Sequence, residues 1–144
     1  MISSAGLIPV GLAKQLRSAG LVWKPEWGDL FHIPDRHLDD RVFVLADLSV
    51  EVTTLADGIG AITFNGAVEW SLDYILTQDV VWMPSEAQLR SALGRRLTAL
   101  RYDGDMYRCE VTLTHRGEQE HSAPTAAEAY GQALLSLLQN ETSR

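Results

Sequence analysis

A chain of 144 residues, 46% hydrophobic and 22% charged, is long enough to bury a core without disulfides or metal and too apolar to be disordered. A net charge of −7 repels phosphate backbones and disfavours nucleic-acid binding by electrostatics. The single cysteine, Cys109, excludes an intrachain disulfide and suits a reducing compartment.

The charge is uneven. From Glu26 to Glu86 twelve acidic residues face two basic ones, Arg36 and Arg41, a local balance of −10. One reading is solubility. The other is a surface for a basic protein or a divalent cation. Met1 to Val10 has neither a basic start nor a long apolar segment, as a secretory signal requires. No apolar run approaches the roughly 20 residues that span a bilayer. The expectation is a cytoplasmic protein with no membrane partner.

The first predicted element is a helix over Val10 to Ala19. Leu12, Ala13 and Leu16 form its apolar stripe, Gly20 sits at the stop, and Leu21 is the apolar residue of a Schellman motif. Trp23-Lys24-Pro25-Glu26-Trp27-Gly28-Asp29 reads as a loop with a large apolar payload. Leu30 to Ile33 is a short strand, and Pro34 to Asp40 a polar loop. Val42 to Ala46 is a second strand. Leu48, Val50 and Val52 then alternate with Ser49, Glu51 and Thr53, the period of a half-buried strand. Asp57-Gly58 signals a hairpin turn, with Gly60 to Phe64 as the returning strand. Asn65-Gly66 is a further turn. Ala67 to Leu76 fits a helical stripe and a strand face equally well.

Val80 to Met83 is a strand ended by Pro84. Ser85 opens a helix with Gln88 as capping-box partner; Leu89 and Leu93 share its apolar face, and Gly94 ends it. Leu97 to Tyr102 and Met106 to Leu113 form a hairpin through Asp103-Gly104-Asp105. Arg116-Gly117 turns into a third strand, Glu118 to Ser122. Thr125 caps a last helix with Glu128 as its partner. Ala126, Ala129, Tyr130, Ala133, Leu134, Leu137 and Leu138 give that helix a wide apolar face, which requires a sheet to cover. The expected fold is α+β: antiparallel sheet, three main helices, a C-terminal β-β-(β)-α unit. It forms a single domain with sub-lobes 1–94 and 95–144.

Candidate chemistry is sparse. His32, Asp35, His37, Asp39 and Asp40 place two imidazoles and three carboxylates within nine residues. Such nitrogen and oxygen donors suit zinc, manganese or iron. The spacing is neither H-E-x-x-H nor a calcium loop, and a solvated loop explains it as well. Glu69 and Asp73 share a face if their segment is helical, as a proton-sharing pair or as an exposed acidic patch. Trp23, Trp27, Trp70 and Trp82 either line a binding surface or anchor the core. Cys109 would need His115 or His121 as a base to act as a nucleophile; otherwise it packs as a small apolar residue. The phosphate loop, the dinucleotide fingerprint, the G-x-S-x-G elbow and a C-x-x-C pair are missing.

Three stretches carry a resemblance: Ala19-Gly20-Leu21-x-Trp23 with Pro25 and Gly28-Asp29-x-Phe31; Phe64-Asn65-Gly66-x-x-Glu69-Trp70-x-Leu72-Asp73; and Trp82-x-Pro84-x-x-x-Gln88-Leu89-Arg90. Together they resemble a family of small actinobacterial-type proteins labelled as pilus assembly proteins, over roughly Ala13 to Gly94. The resemblance implies no activity, catalytic residue or cofactor.

The leading expectation is a non-enzymatic interaction or regulatory module. Trp23, Trp27, Glu69 and Trp70 would supply the binding surface, for a protein partner or a second copy rather than nucleic acid. No cofactor is expected. The alternative is a metal-dependent hydrolase in which a divalent ion, held by the His32–Asp40 cluster, activates a water. A third reading is a homo-oligomer that buries its apolar faces by self-association.

Overall fold

The computed structural model describes residues 6–34, 42–45, 50–54, 58–64, 74–76, 79–115 and 117–142. Among these are three α-helices and nine strands in three antiparallel three-stranded sheets, an α+β architecture. The chain forms two compact units. One contains Val22–Met83; the other joins Ser4–Leu21 to Pro84–Arg144. The division therefore does not fall at residue 94. The apolar faces of the first two helices need cover, and the last helix supplies it, so both belong with the C-terminal sheet.

In that unit α1 spans Val10–Ser18 and buries Leu12, Ala13 and Leu16. Its end is the expected Schellman stop. The Leu21 amide donates to the Leu16 carbonyl (3.0 Å), the Gly20 amide to Arg17 (3.1 Å), and Gly20 takes φ 111°. These bonds satisfy carbonyls that would otherwise be orphaned. Helix α2, Glu86–Leu93, opens on a complete capping box. The Gln88 amide donates to Ser85 Oγ (3.1 Å), and the Ser85 amide to Gln88 Oε1 (2.9 Å). Leu89 and Leu93 are buried, and a short 3-10 turn, Gly94–Arg96, leads into the sheet.

Strands β7 (Leu97–Tyr102), β8 (Tyr107–Leu113) and β9 (Gly117–Ala123) pair antiparallel in that order. Period-2 alternation sends Cys109, Val111 and Leu113 of β8 into the core and leaves Arg108 and Thr112 exposed. Asp103 builds the first hairpin. Its Oδ1 accepts the amides of Met106 (2.9 Å) and Asp105 (3.0 Å), which hold its carboxyl below the usual aspartate range. The second hairpin turns through His115 (φ 71°) and Gly117 (φ 73°); Arg116 lies outside the described residues.

Helix α3, Ala126–Thr142, starts with the Glu128 amide donating to Thr125 Oγ1 (3.1 Å). It covers β8 and β9 and buries Ala129, Tyr130, Ala133, Leu134 and Leu137. A further face, absent from the sequence reading, buries Ala127 and Gly131. A Cβ on Gly131 would stand 2.8 Å from Leu12 Cδ2, so the missing side chain is what lets α1 lie close against α3. The opposite face of the sheet is charged: Arg101 pairs with Glu110 (3.1 Å), and Arg108 with Asp103 (3.1 Å) and Glu120 (3.9 Å).

The Val22–Met83 unit is built from shorter strands. Strand β1 (Leu30–His32) is central, between β2 (Val42–Val44) and β6 (Val81–Met83), so Phe31 faces Phe43 on one side and Trp82 on the other. Its second sheet runs β3 (Val50–Thr54), β4 (Gly60–Phe64), β5 (Tyr74–Leu76). Val50 pairs with Phe64, Thr54 with Gly60, and Ala61 with Leu76. The expected β3–β4 hairpin is present, with Gly58 at φ 86° in its connection. Of the ambiguous segment 67–76, the described part is strand β5; Asn65 and Gly66 lie outside the described residues.

Candidate functional site

The tryptophan loop is a locked turn. The Asp29 amide donates to the Glu26 carbonyl (3.1 Å), closing a four-residue turn with Gly28 third at φ 93°. Positive φ at that position is what a type II turn demands and what glycine supplies without strain. Asp29, 5% exposed, turns its carboxylate back into the loop. Its Oδ2 accepts Trp23 Nε1 (2.8 Å) and the Glu26 amide (3.0 Å). The loop is also bonded to Leu45, the residue that follows β2, with Gly28 N donating to Leu45 O and Leu45 N to Asp29 O, both 2.7 Å.

These bonds separate the two tryptophans. Trp23 is half-buried, stacked on Phe31 with ring centroids 5.7 Å apart, and Phe31 in turn stacks on Phe43 at 5.8 Å. Trp23 is thus an internal anchor. Trp27 points out at the apex of the turn, 60% exposed. Val22 and Val44 are exposed in the same unit, and Val44 adjoins the Leu45 that is bonded to the turn. Trp82 is half-buried, and its indole nitrogen has no hydrogen-bond partner among the described residues.

Of the other sequence candidates, Glu69, Trp70, Asp35, His37, Asp39 and Asp40 lie outside the described residues, as does Asp73. His32 is buried in β1. Among the described residues no three histidines, cysteines or acids are grouped so as to hold a metal ion.

The C-terminal unit contains a groove of about 730 Å³ between α1, α3 and β9, lined in part by Leu12, Gln15, His121, Glu128, Gln132 and Ser136. Alternation along β9 puts Gln119, His121 and Ala123 on the side of α3, and Ser136 donates to Gln119 Oε1 (2.8 Å). His121 Nε2 is buried without a partner among the described residues, and burial holds the imidazole below its ordinary pKa. His121 is also the cross-strand neighbour of Cys109. That pair does not make a nucleophile. Burial, with Glu110 adding to it, pushes the Cys109 thiol up to about 11, and the reactive form is the thiolate.

Sequence reasoning missed Asp29 as the lock of the loop and the groove around His121. Asp29 had a signal: one acid between Trp27 and the apolar run Leu30, Phe31, Ile33, where a buried carboxylate must find donors. The groove needs α1 laid against α3, for which the one sequence signal was Gly131 inside a helix pattern.

Searches against family models, curated proteins and solved structures found no match to this chain. Among the described residues no helix is long and apolar enough to cross a membrane.

Proposed function

We propose that the protein is a non-enzymatic interaction module that docks a basic protein partner through Trp27. The reading rests on a large aromatic side chain held out on a turn whose backbone is fixed before any partner arrives. Exposed tryptophan is a frequent centre of binding energy, and a preformed loop loses little entropy on docking. The acidic balance of −10 from Glu26 to Glu86 supplies complementarity to a basic surface and speeds encounter at low salt. Membership of a pilus-assembly-labelled family remains part of this proposal, as does a cytoplasmic location.

The test places a photo-crosslinking amino acid at position 27 and identifies the captured protein. A single basic partner is expected. Its capture should weaken as salt rises, and its binding to the otherwise native protein should be lost in Trp27→Ala. Binding that survives Trp27→Ala unchanged, or an acidic partner, would overturn the reading.

A further inference from the structure

We infer that the outer edge of β9, with the groove beside it, receives an extended segment of a partner protein as a further strand, one that carries basic side chains at alternate positions. The site lies in the unit that does not contain Trp27 and does not depend on the docking role proposed for that residue. β9 is an outer strand of its sheet, and its pairing with β8 runs from Gly117 to Ala123 without a register shift. The opposite edge is β7, whose pairing shifts between Leu97 and Ala99; such a bulge blunts an edge against further pairing. The first hairpin fixes which groups β9 turns outward. The Asp103 amide donates to the Met106 carbonyl, and antiparallel bonding alternates from that pair. Arg108 and Glu110 therefore direct their backbone groups to β7, and Cys109, Val111 and Leu113 direct theirs to β9. The Glu110 carbonyl, which accepts Thr98 Oγ1 on the β7 side, agrees with this phase. It follows that Glu118, Glu120 and Ser122 turn their amides and carbonyls away from β8, where they meet no backbone partner among the described residues.

The space beside that edge is already shaped. The groove of about 730 Å³ follows one face of α3, through Gln132, Leu135 and Gln139, with β9 on one side and Pro9 and Leu12 on the other. A strand laid on β9 sends alternate side chains toward α3, where Pro9, Leu12 and Leu135 supply apolar wall. Its remaining side chains fall on the charged face of the sheet. Antiparallel addition, slightly stabler per residue than parallel, sets one of them directly opposite each of Glu118, Glu120 and Ser122. Both glutamates are exposed. Glu118 makes no ion pair with any described residue, and Glu120 reaches Arg108 at 3.9 Å. Lysine or arginine at the opposite positions completes both pairs, and no lysine or arginine lines the groove to compete. A second copy of β9 would instead set glutamate against glutamate, which is destabilising. In strand addition of this kind the backbone bonds give affinity and the alternating side chains give specificity.

The test is an NMR titration of the full chain with a capped heptapeptide of alternating valine and lysine, read by amide exchange as well as by shift. At saturation the amides of Glu118, Glu120 and Ser122 should exchange at least about ten-fold more slowly, while that of His121, already bonded to β8, should change little. The same peptide N-methylated at its lysines keeps its charge and loses those donors, so it should bind at least about ten-fold more weakly. This comparison uses the unaltered chain and does not depend on how any variant folds. A peptide with glutamate in place of lysine should not bind. Glu118→Lys combined with Glu120→Lys, both at exposed positions, should weaken the lysine peptide by about ten-fold and admit the glutamate peptide. Trp27→Ala should leave the titration unchanged. Shifts without protection of the three amides, equal binding of the N-methylated peptide, indifference to the charge reversal, or loss of binding in Trp27→Ala would each overturn the proposal.

Discussion

The two compact units hold together by different means. In the unit that carries β7, β8 and β9, each helix has its own start or stop signal and each strand pairs with its neighbour in sequence. In Val22–Met83 the central strand β1 pairs with β6, so that Leu30 meets Met83 across nearly the whole unit. A pairing so distant must overcome loop-closure entropy before it gains any contact. Side chains in that unit do what caps do in the other: the Asp29 carboxylate bonded to Trp23 and Glu26, and the stacked row Trp23, Phe31, Phe43. Side-chain contacts within the Trp23–Phe31 segment, together with the Phe31–Phe43 stack, thus take on there the work that helix caps do in the other unit.

If so, the heaviest losses should come from those contacts. Phe31→Ala, at a position with 0% exposure, should cost about 3–5 kcal/mol in urea unfolding, as deleting a buried phenylalanine does. A cost near 1 kcal/mol would mean that the aromatic row does not organise the sheet. Asp29→Ala should come next, at about 2–3 kcal/mol, because it leaves two donors without their charged acceptor. It should also loosen the turn, read as faster quenching of the Trp23 indole by acrylamide. A stability change within the error of the measurement would return Asp29 to the status of a surface acid.

The smallest effect belongs to the other unit and depends on pH. Burial lowers the pKa of His121 from 6.5 in the folded chain, so on acidification the unfolded chain takes up that proton first. The contribution of neutral His121 is therefore complete above pH 6.5 and is lost as pH falls through the lower folded value. His121→Phe should flatten the decline in melting temperature between about pH 7 and pH 5 relative to the native chain. Identical slopes would show that His121 titrates alike in both states.

The contrast also explains what the sequence disclosed. The Schellman stop at Gly20, the capping box at Ser85 and Gln88, the Asp103 turn and the wide face of α3 are written in residues three to five apart, and each was legible. The β3–β4 hairpin was legible from its Asp57-Gly58 turn, whereas strands β1, β2 and β6 were legible only as segments, from apolar runs between turn residues. Their partners were not, because alternation marks a strand's faces and says nothing about which distant strand it joins. The place of α1 and α2 beside α3 was hidden for the same reason; Gly131, inside a helix pattern, was the one hint of a close approach. At the candidate sites, the difference between Trp23 and Trp27 lies in the hydrogen bond to Asp29 and the stack on Phe31, which composition cannot show.

The chain passes from α1 into Val22–Met83 once and comes back once, at Pro84. On one side of that excursion stands the Schellman stop of α1, on the other the capping box of α2. Both helix ends are closed by hydrogen bonds made inside their own unit. The bonds that end α1 and open α2 are thus each closed within a few residues of sequence, and a substitution inside Val22–Met83 leaves their donors and acceptors in place.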